Sequence, residues 1–125
     1  MRKGVIICGA NGERGLILEK AVEIFAKKNS SRVIQFSACS LGVSPLMLSM
    51  SGADTKKLIT VNGCRNRCAD RILEGIGLKA EKSVVLDDVL QREVGACKAT
   101  CLFDFPLVSD EEAQRFAALM ASALD

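Results

Sequence analysis

The chain has 125 residues, which sets the expectation of a single domain over residues 1–125. Hydrophobic residues make up 49% and charged residues 26%, so a core can form without disulfide staples. A net charge of +2 with no Trp, no Tyr and five Phe gives nucleic-acid recognition by base stacking little to work with, and no apolar run is long enough to span a membrane.

The chain opens MRKGVIICGANGERG, two positive charges before a very short apolar run. That does not match a secretory signal, and a cytoplasmic, reducing location is expected. Residues 4–8 (GVIIC) read as a short strand that is apolar throughout. Residues 13–28 read as a helix, with Leu18, Ala21, Val22 and Phe25 on one face, Lys27 and Lys28 in the last turn, and Asn29 as a stop. Residues 32–37 (RVIQFS) form a second strand. Residues 44–50 form a short helix with Pro45 at its first position. Residues 57–61 form a third strand, and residues 66–76 a helix ended by Gly77. Residues 83–86 (SVVL) form a fourth strand, and residues 88–94 have a helical pattern. Residues 102–108 could be a fifth strand, but Pro106 restricts them to an edge strand or a loop. Ser109-Asp110-Glu111-Glu112 is a capping box that opens a last helix ending near Leu124.

Strands that alternate with helices and are apolar on both faces predict an α/β fold. The expected form is a three-layer sandwich with a mostly parallel sheet of 4–5 strands and helices on both faces. In a parallel sheet the carboxyl ends of the strands share one edge, where open α/β sheets bind ligands.

The chain has six cysteines and no histidine. A Ser-His or Cys-His catalytic pair is therefore excluded, and any metal site uses thiolate, carboxylate or backbone ligands. In a reducing compartment six cysteines read as metal-binding or redox-active before they read as a disulfide framework. Cys8 ends the first strand, Cys39 lies just past the second, Cys64 lies just past the third, and Cys68 falls in the next helix's first turn. These four can converge if the strand order keeps their strands adjacent. A helix N-terminus stabilises a thiolate, Arg65 and Arg67 add to that, and Gly63 suits a tight turn before Cys64. Four thiolates suit tetrahedral zinc. Free cysteine is also a common small core residue, and Cys8 fits that role too. Cys97 and Cys101 continue a helical face with Leu90 and Val94, so they read either as core or as further ligands.

Residues 61–86, VNGCRNRCADRILEGIGLKAEKSVVL, place an apolar strand before N-G-C-x-x-x-C, then a helix, a glycine turn and an apolar strand. This resembles the DGC-domain family, to which zinc binding is ascribed and which is named after an Asp-Gly-Cys motif. Asn62-Gly63-Cys64 matches that motif with Asn in place of Asp, and Cys68 matches its second cysteine. Ile72, Leu73, Gly77 and Val84-Val85-Leu86 continue in register. Cys8 and Cys39 match cysteines that the family carries after its first and second strands. Members often have another cysteine near the first, where Asn11 and Gly12 stand here. Cys97 and Cys101 fall beyond the matched part. The resemblance implies a metal site rather than a particular reaction.

A second motif, CGANGERG at residues 8–15, has glycines at 9, 12 and 15 between a strand and a helix, as in some dinucleotide-binding turns. The second strand ends in Gln35-Phe36-Ser37, without the acid that holds a ribose hydroxyl. A structural turn with its N–H groups facing the thiols is the better reading.

The leading expectation is a zinc-binding protein with Cys8, Cys39, Cys64 and Cys68 as ligands. Its partner is the metal ion, and no reaction, protein partner or oligomeric state is specified. An iron–sulfur cluster on the same thiols is the alternative, since soft thiolates suit both. A metal-free thiol-redox protein using Cys64 and Cys68, and a binding module whose cysteines are only structural, are the other two.

Overall fold

In the computed structural model, residues 2–9, 12–90 and 110–124 are described. β1 (Lys3–Ile7) is an inner strand whose central residues are buried on both faces, which accounts for its uninterrupted apolar sequence. α1 (Gly12–Asn29) follows, with Glu13 in its first turn and Lys27 and Lys28 in its last, both matched to the helix dipole. Next come β2 (Val33–Ser37), α2 (Ala38–Val43), α3 (Leu46–Ser51) and β3 (Asp54–Asn62). α4 (Cys68–Gly75), β4 (Lys82–Val85), a 3₁₀ turn (Leu86–Asp88) and α5 (Asp110–Ser122) complete the described elements.

The four strands form one all-parallel sheet in the order β2-β1-β3-β4. This is the α/β sandwich read from the sequence. β1 pairs with β2 from Lys3↔Val33 to Ile7↔Ser37, and with β3 at Val5↔Ile59 to Ile7↔Val61. The order reverses at β1: the first crossover steps to β2, and the next steps back over β1 to β3. Right-handed crossovers then put α1 on one face and α2, α3 and α4 on the other. The packing agrees, since α1 pairs with α5 and α2 pairs with α4. The first pair buries Ile17, Ala21, Phe25, Phe116 and Met120, and the second face buries Leu41, Leu48 and Leu73.

Several boundaries differ from the sequence reading. β3 starts at Asp54 rather than Lys57, because Asp54 pairs with Lys3 before a register irregularity precedes Ile59. α2 was not expected at all. α4 starts at Cys68, two residues later than its pattern suggested. Gly77 does end it: φ is +82°, its N–H bonds Glu74 O, and the Leu78 N–H bonds Leu73 O, a Schellman motif. Of the helix expected over 88–94, Val89 and Leu90 are a turn and coil, and residues 91–94 lie outside the described residues. The possible strand at 102–108 and the cysteines at 97 and 101 also lie outside them, as do Ala10 and Asn11 of the glycine-spaced turn.

α5 runs along α1, pairing Asp110 with Lys20 at its start and accepting Lys3 Nζ at Leu124 O, 2.5 Å, at its end. Phe116→Ala is expected to lower stability by about 3–5 kcal/mol, because it empties a fully buried aromatic site. Met50→Ser, on a residue 85% exposed, is expected to change it by less than about 0.5 kcal/mol. Urea denaturation of both variants checks the contrast.

Candidate metal centre

The strand order reverses at β1, and doubly wound sheets bind ligands at such a point, outside the carboxyl ends of the strands. Cys8 directly follows β1, and Gly63-Cys64 directly follow β3. Cys39 is the second residue of α2, just past β2, on the other side of β1. Three cysteines thus stand at the ends of three consecutive strands, each about 4.8 Å from the next in the sheet. Cys68 opens α4, which packs against α2. A methyl group at Gly42 would stand 3.4 Å from Ile72 Cγ2, so the two helices approach closely where α2 carries this glycine.

Two contacts tie these ends together. The Cys8 N–H donates to Val61 O at 2.9 Å, and Cys8 Sγ accepts the Gly63 N–H at 3.0 Å. On the other flank, a methyl group at Gly9 would meet Cys39 Sγ at 3.7 Å. Cys8 is buried, Cys64 is half-buried, and Cys39 and Cys68 are exposed. Among the described residues, no three Cys, Asp or Glu side chains are gathered tightly enough to enclose a metal ion.

The turn carrying Cys64 and Cys68 is closed at its base by side chains. Asn62 is completely buried. Its Oδ1 accepts the Ala69 N–H at 3.1 Å, serving as an N-cap reached from another strand. The residue adjacent to α4, Arg67, makes no side-chain cap bond. Asn62 Nδ2 donates to Asp70 Oδ2 at 2.9 Å and to Ser83 Oγ at 3.2 Å. Asp70 also accepts from Thr60 Oγ1 at 2.7 Å and from Ser83 Oγ at 2.8 Å. The ends of the loop at 62 and 70 are therefore bonded to each other, and Cys64 and Cys68 are held in one short closed turn. Inside it the Arg67 N–H bonds Cys64 O at 3.2 Å. Arg67 takes the left-handed conformation, φ 52° and ψ 53°, whereas Gly63, expected to provide the tight turn, has no positive φ. A non-glycine residue there is uncommon, and the surrounding bonds offset its cost.

Thr60, Asn62, Asp70 and Ser83 were not read as site residues from the sequence. The available signal was a pair of polar residues, two apart, in the otherwise apolar second half of an inner strand. Thr60 and Asn62 are both fully buried, and such residues need partners.

The family model for the DGC domain matches residues 4–115. The chain belongs to the DGC domain family. The match covers the four strands of the DGC domain described above, apart from Lys3 at the start of β1, and both cysteines of the N-G-C-x-x-x-C turn. No curated protein and no solved structure matches the chain. In this DGC domain the motif's first residue is Asn62, and Asp70 explains the fit: a carboxylate at 62 would face the Asp70 carboxylate where the amide now donates to it.

A swap tests that reading. Asn62→Asp is expected to destabilise the domain by about 1–3 kcal/mol, because it sets one carboxylate against another, and Asp70→Asn by less, because its amide oxygen still accepts from Asn62 while the charge-assisted bonds are lost. The double variant N62D/D70N restores a donor opposite an acceptor and is expected to recover most of the loss. Denaturant unfolding around the double-mutant cycle measures the coupling.

Proposed function

We propose that the protein binds zinc through Cys8, Cys39, Cys64 and Cys68. The observation that carries this reading is the placement of Cys8, Cys39 and Cys64 at three adjacent strand ends around the point where strand order reverses, with Cys68 at the start of the helix that follows. The donor set fits chemically: with no histidine in the chain, thiolates are the soft ligands available, and they suit tetrahedral zinc. Membership of the DGC domain family is in keeping with a metal site. Cys8 already accepts a backbone N–H, as a sulfur bearing negative charge favours. Zinc in such a site supplies cross-linking of the strand ends and, with all four positions filled by protein, favours a structural or storage role over catalysis. To hold one ion with Cys8 and Cys64, the exposed side chains of Cys39 and Cys68 would turn inward about their single torsion, with adjustment of the 62–70 turn. A reducing, cytoplasmic setting keeps these thiols available. No helix among the described residues is long and apolar enough to cross a membrane.

The exposure of Cys39 and Cys68, beside a half-buried Cys64, favours one second reading: a metal-free thiol protein in which Cys64 and Cys68 form a reversible disulfide.

Protein purified without oxygen or chelator is expected to contain one zinc per chain and to be colourless. The double variant Cys64→Ser/Cys68→Ser is expected to lose the zinc. Elemental analysis with a visible spectrum decides, and the absence of Trp and Tyr leaves the near-ultraviolet clear for thiolate bands. Iron with sulfide and a broad visible band would replace zinc by a cluster. Metal-free protein with a Cys64–Cys68 disulfide after mild oxidation would favour the second reading.

A further inference from the structure

Arg14 stands in a costly place. It is the third residue of α1, where the helix end already carries positive partial charge, and it is buried to 9% exposure. A cation there faces both an unfavourable dipole and loss of hydration, so it persists only with strong partners. Its partners are specific. Arg14 Nη1 donates to Gly63 O at 2.8 Å and also pairs with the Asp87 carboxylate. Arg14 follows β1, Gly63 follows β3 and Asp87 follows β4. One guanidinium nitrogen thus joins the start of α1 to the ends of β3 and β4. Arg65 adds a looser contact to the same acid, Nε at 3.7 Å from Asp87, and its Nη1 lies 3.6 Å from Asp88.

Both backbone polar groups of Gly63 are engaged. Its C=O is held by Arg14, and its N–H donates to Cys8 Sγ. The orientation of Gly63 sets where Cys64 begins and whether an N–H meets the Cys8 sulfur. We propose that Arg14, anchored by Asp87, is the positioning residue of the thiol edge. It clamps Gly63 and so fixes where Cys64 begins relative to Cys8 at the carboxyl ends of β1 and β3. Its buried positive charge also offsets the negative charge that several thiolates bring. The role in metal binding rests on the zinc reading above, while the clamp on Gly63 does not depend on metal.

The test is the double variant Arg14→Met/Asp87→Asn, which removes both charges and fills the arginine's space with an apolar chain. Replacing a buried ion pair by an apolar residue is often neutral for the fold, so stability and site geometry separate in this variant. Thermal unfolding is expected to shift down by only a few degrees, the cost of leaving the buried Gly63 C=O without its donor. Amide hydrogen exchange at Gly63, followed by NMR without metal, is expected to accelerate at least tenfold against unchanged core amides. Zinc affinity is expected to fall by about 10- to 100-fold, as for a lost partner of a ligand. The cobalt-substituted protein is expected to show altered thiolate charge-transfer bands. Arg14→Lys keeps a charged donor and is expected to restore part of each effect.

Unchanged exchange at Gly63 overturns the clamp. So does a parallel loss of stability and zinc affinity with no excess at Gly63, which marks Arg14 as merely structural. Wild-type protein that binds no zinc overturns the metal reading alone, and Gly63 exchange still decides the clamp. If the double variant cannot be purified, Asp87→Asn is measured instead. Faster exchange at Gly63 there supports the clamp, and wild-type exchange overturns it.

Discussion

The Asn62 side chain is the contact on which the candidate site depends. One buried carboxamide accepts the Ala69 N–H of α4 and donates to Asp70 and Ser83, so it joins the end of β3 to a helix and to the neighbouring strand. A buried polar group of this kind costs several kcal/mol if left without partners, and satisfied it fixes a single arrangement. Only one arrangement of the Asn amide fits here, with oxygen toward the helix and nitrogen toward the acid. The short closed turn between residues 62 and 70, and with it the spacing of Cys64 and Cys68, follows from that orientation.

Topology does the rest of the gathering. Because the chain steps from β1 to β2 and then back across to β3, the first three strand ends are neighbours although residues 8, 39 and 64 are far apart in sequence. An order with β2 beyond β4 would separate Cys39 from Cys8 by most of the width of the sheet. Right-handed crossovers then send α2 and α4 to the same face, which brings Cys39 and Cys68 to adjacent helix starts. Chirality and connection order bring the cysteine-bearing segments to one edge of the sheet, with the side-chain locks adding local definition.

This explains what could be read from the sequence and what could not. The parallel sheet was legible because β1 and the second half of β3 are buried on both faces, and so are apolar without alternation. α5 was legible from its capping box, and the end of α4 from Gly77. α2 was not. It has six residues, includes Gly42 and shows no side-chain cap bond at Ser37, so its helicity comes from packing on α4, which no local pattern records. The start of α4 was misplaced for a related reason: its cap is Asn62, five residues before the adjacent Arg67. At the site, the four cysteines and their shared edge could be inferred from chain order. The polar network could not, because Asp70 and Ser83 have no sequence relation to Thr60 and Asn62 beyond what the fold creates.

The bond from Lys3 Nζ to Leu124 O places the start of β1 beside the end of α5, at the edge of the sheet opposite the thiols. With five residues in β1, the two edges are about 16 Å apart. The outermost described residues at both ends are therefore neighbours on the far side from the chemistry. A fusion partner or surface tether attached at either end would leave the thiol edge facing outward. A short linker joining the two ends would allow the chain to be reopened elsewhere, giving a circular permutant with the cysteine turn untouched.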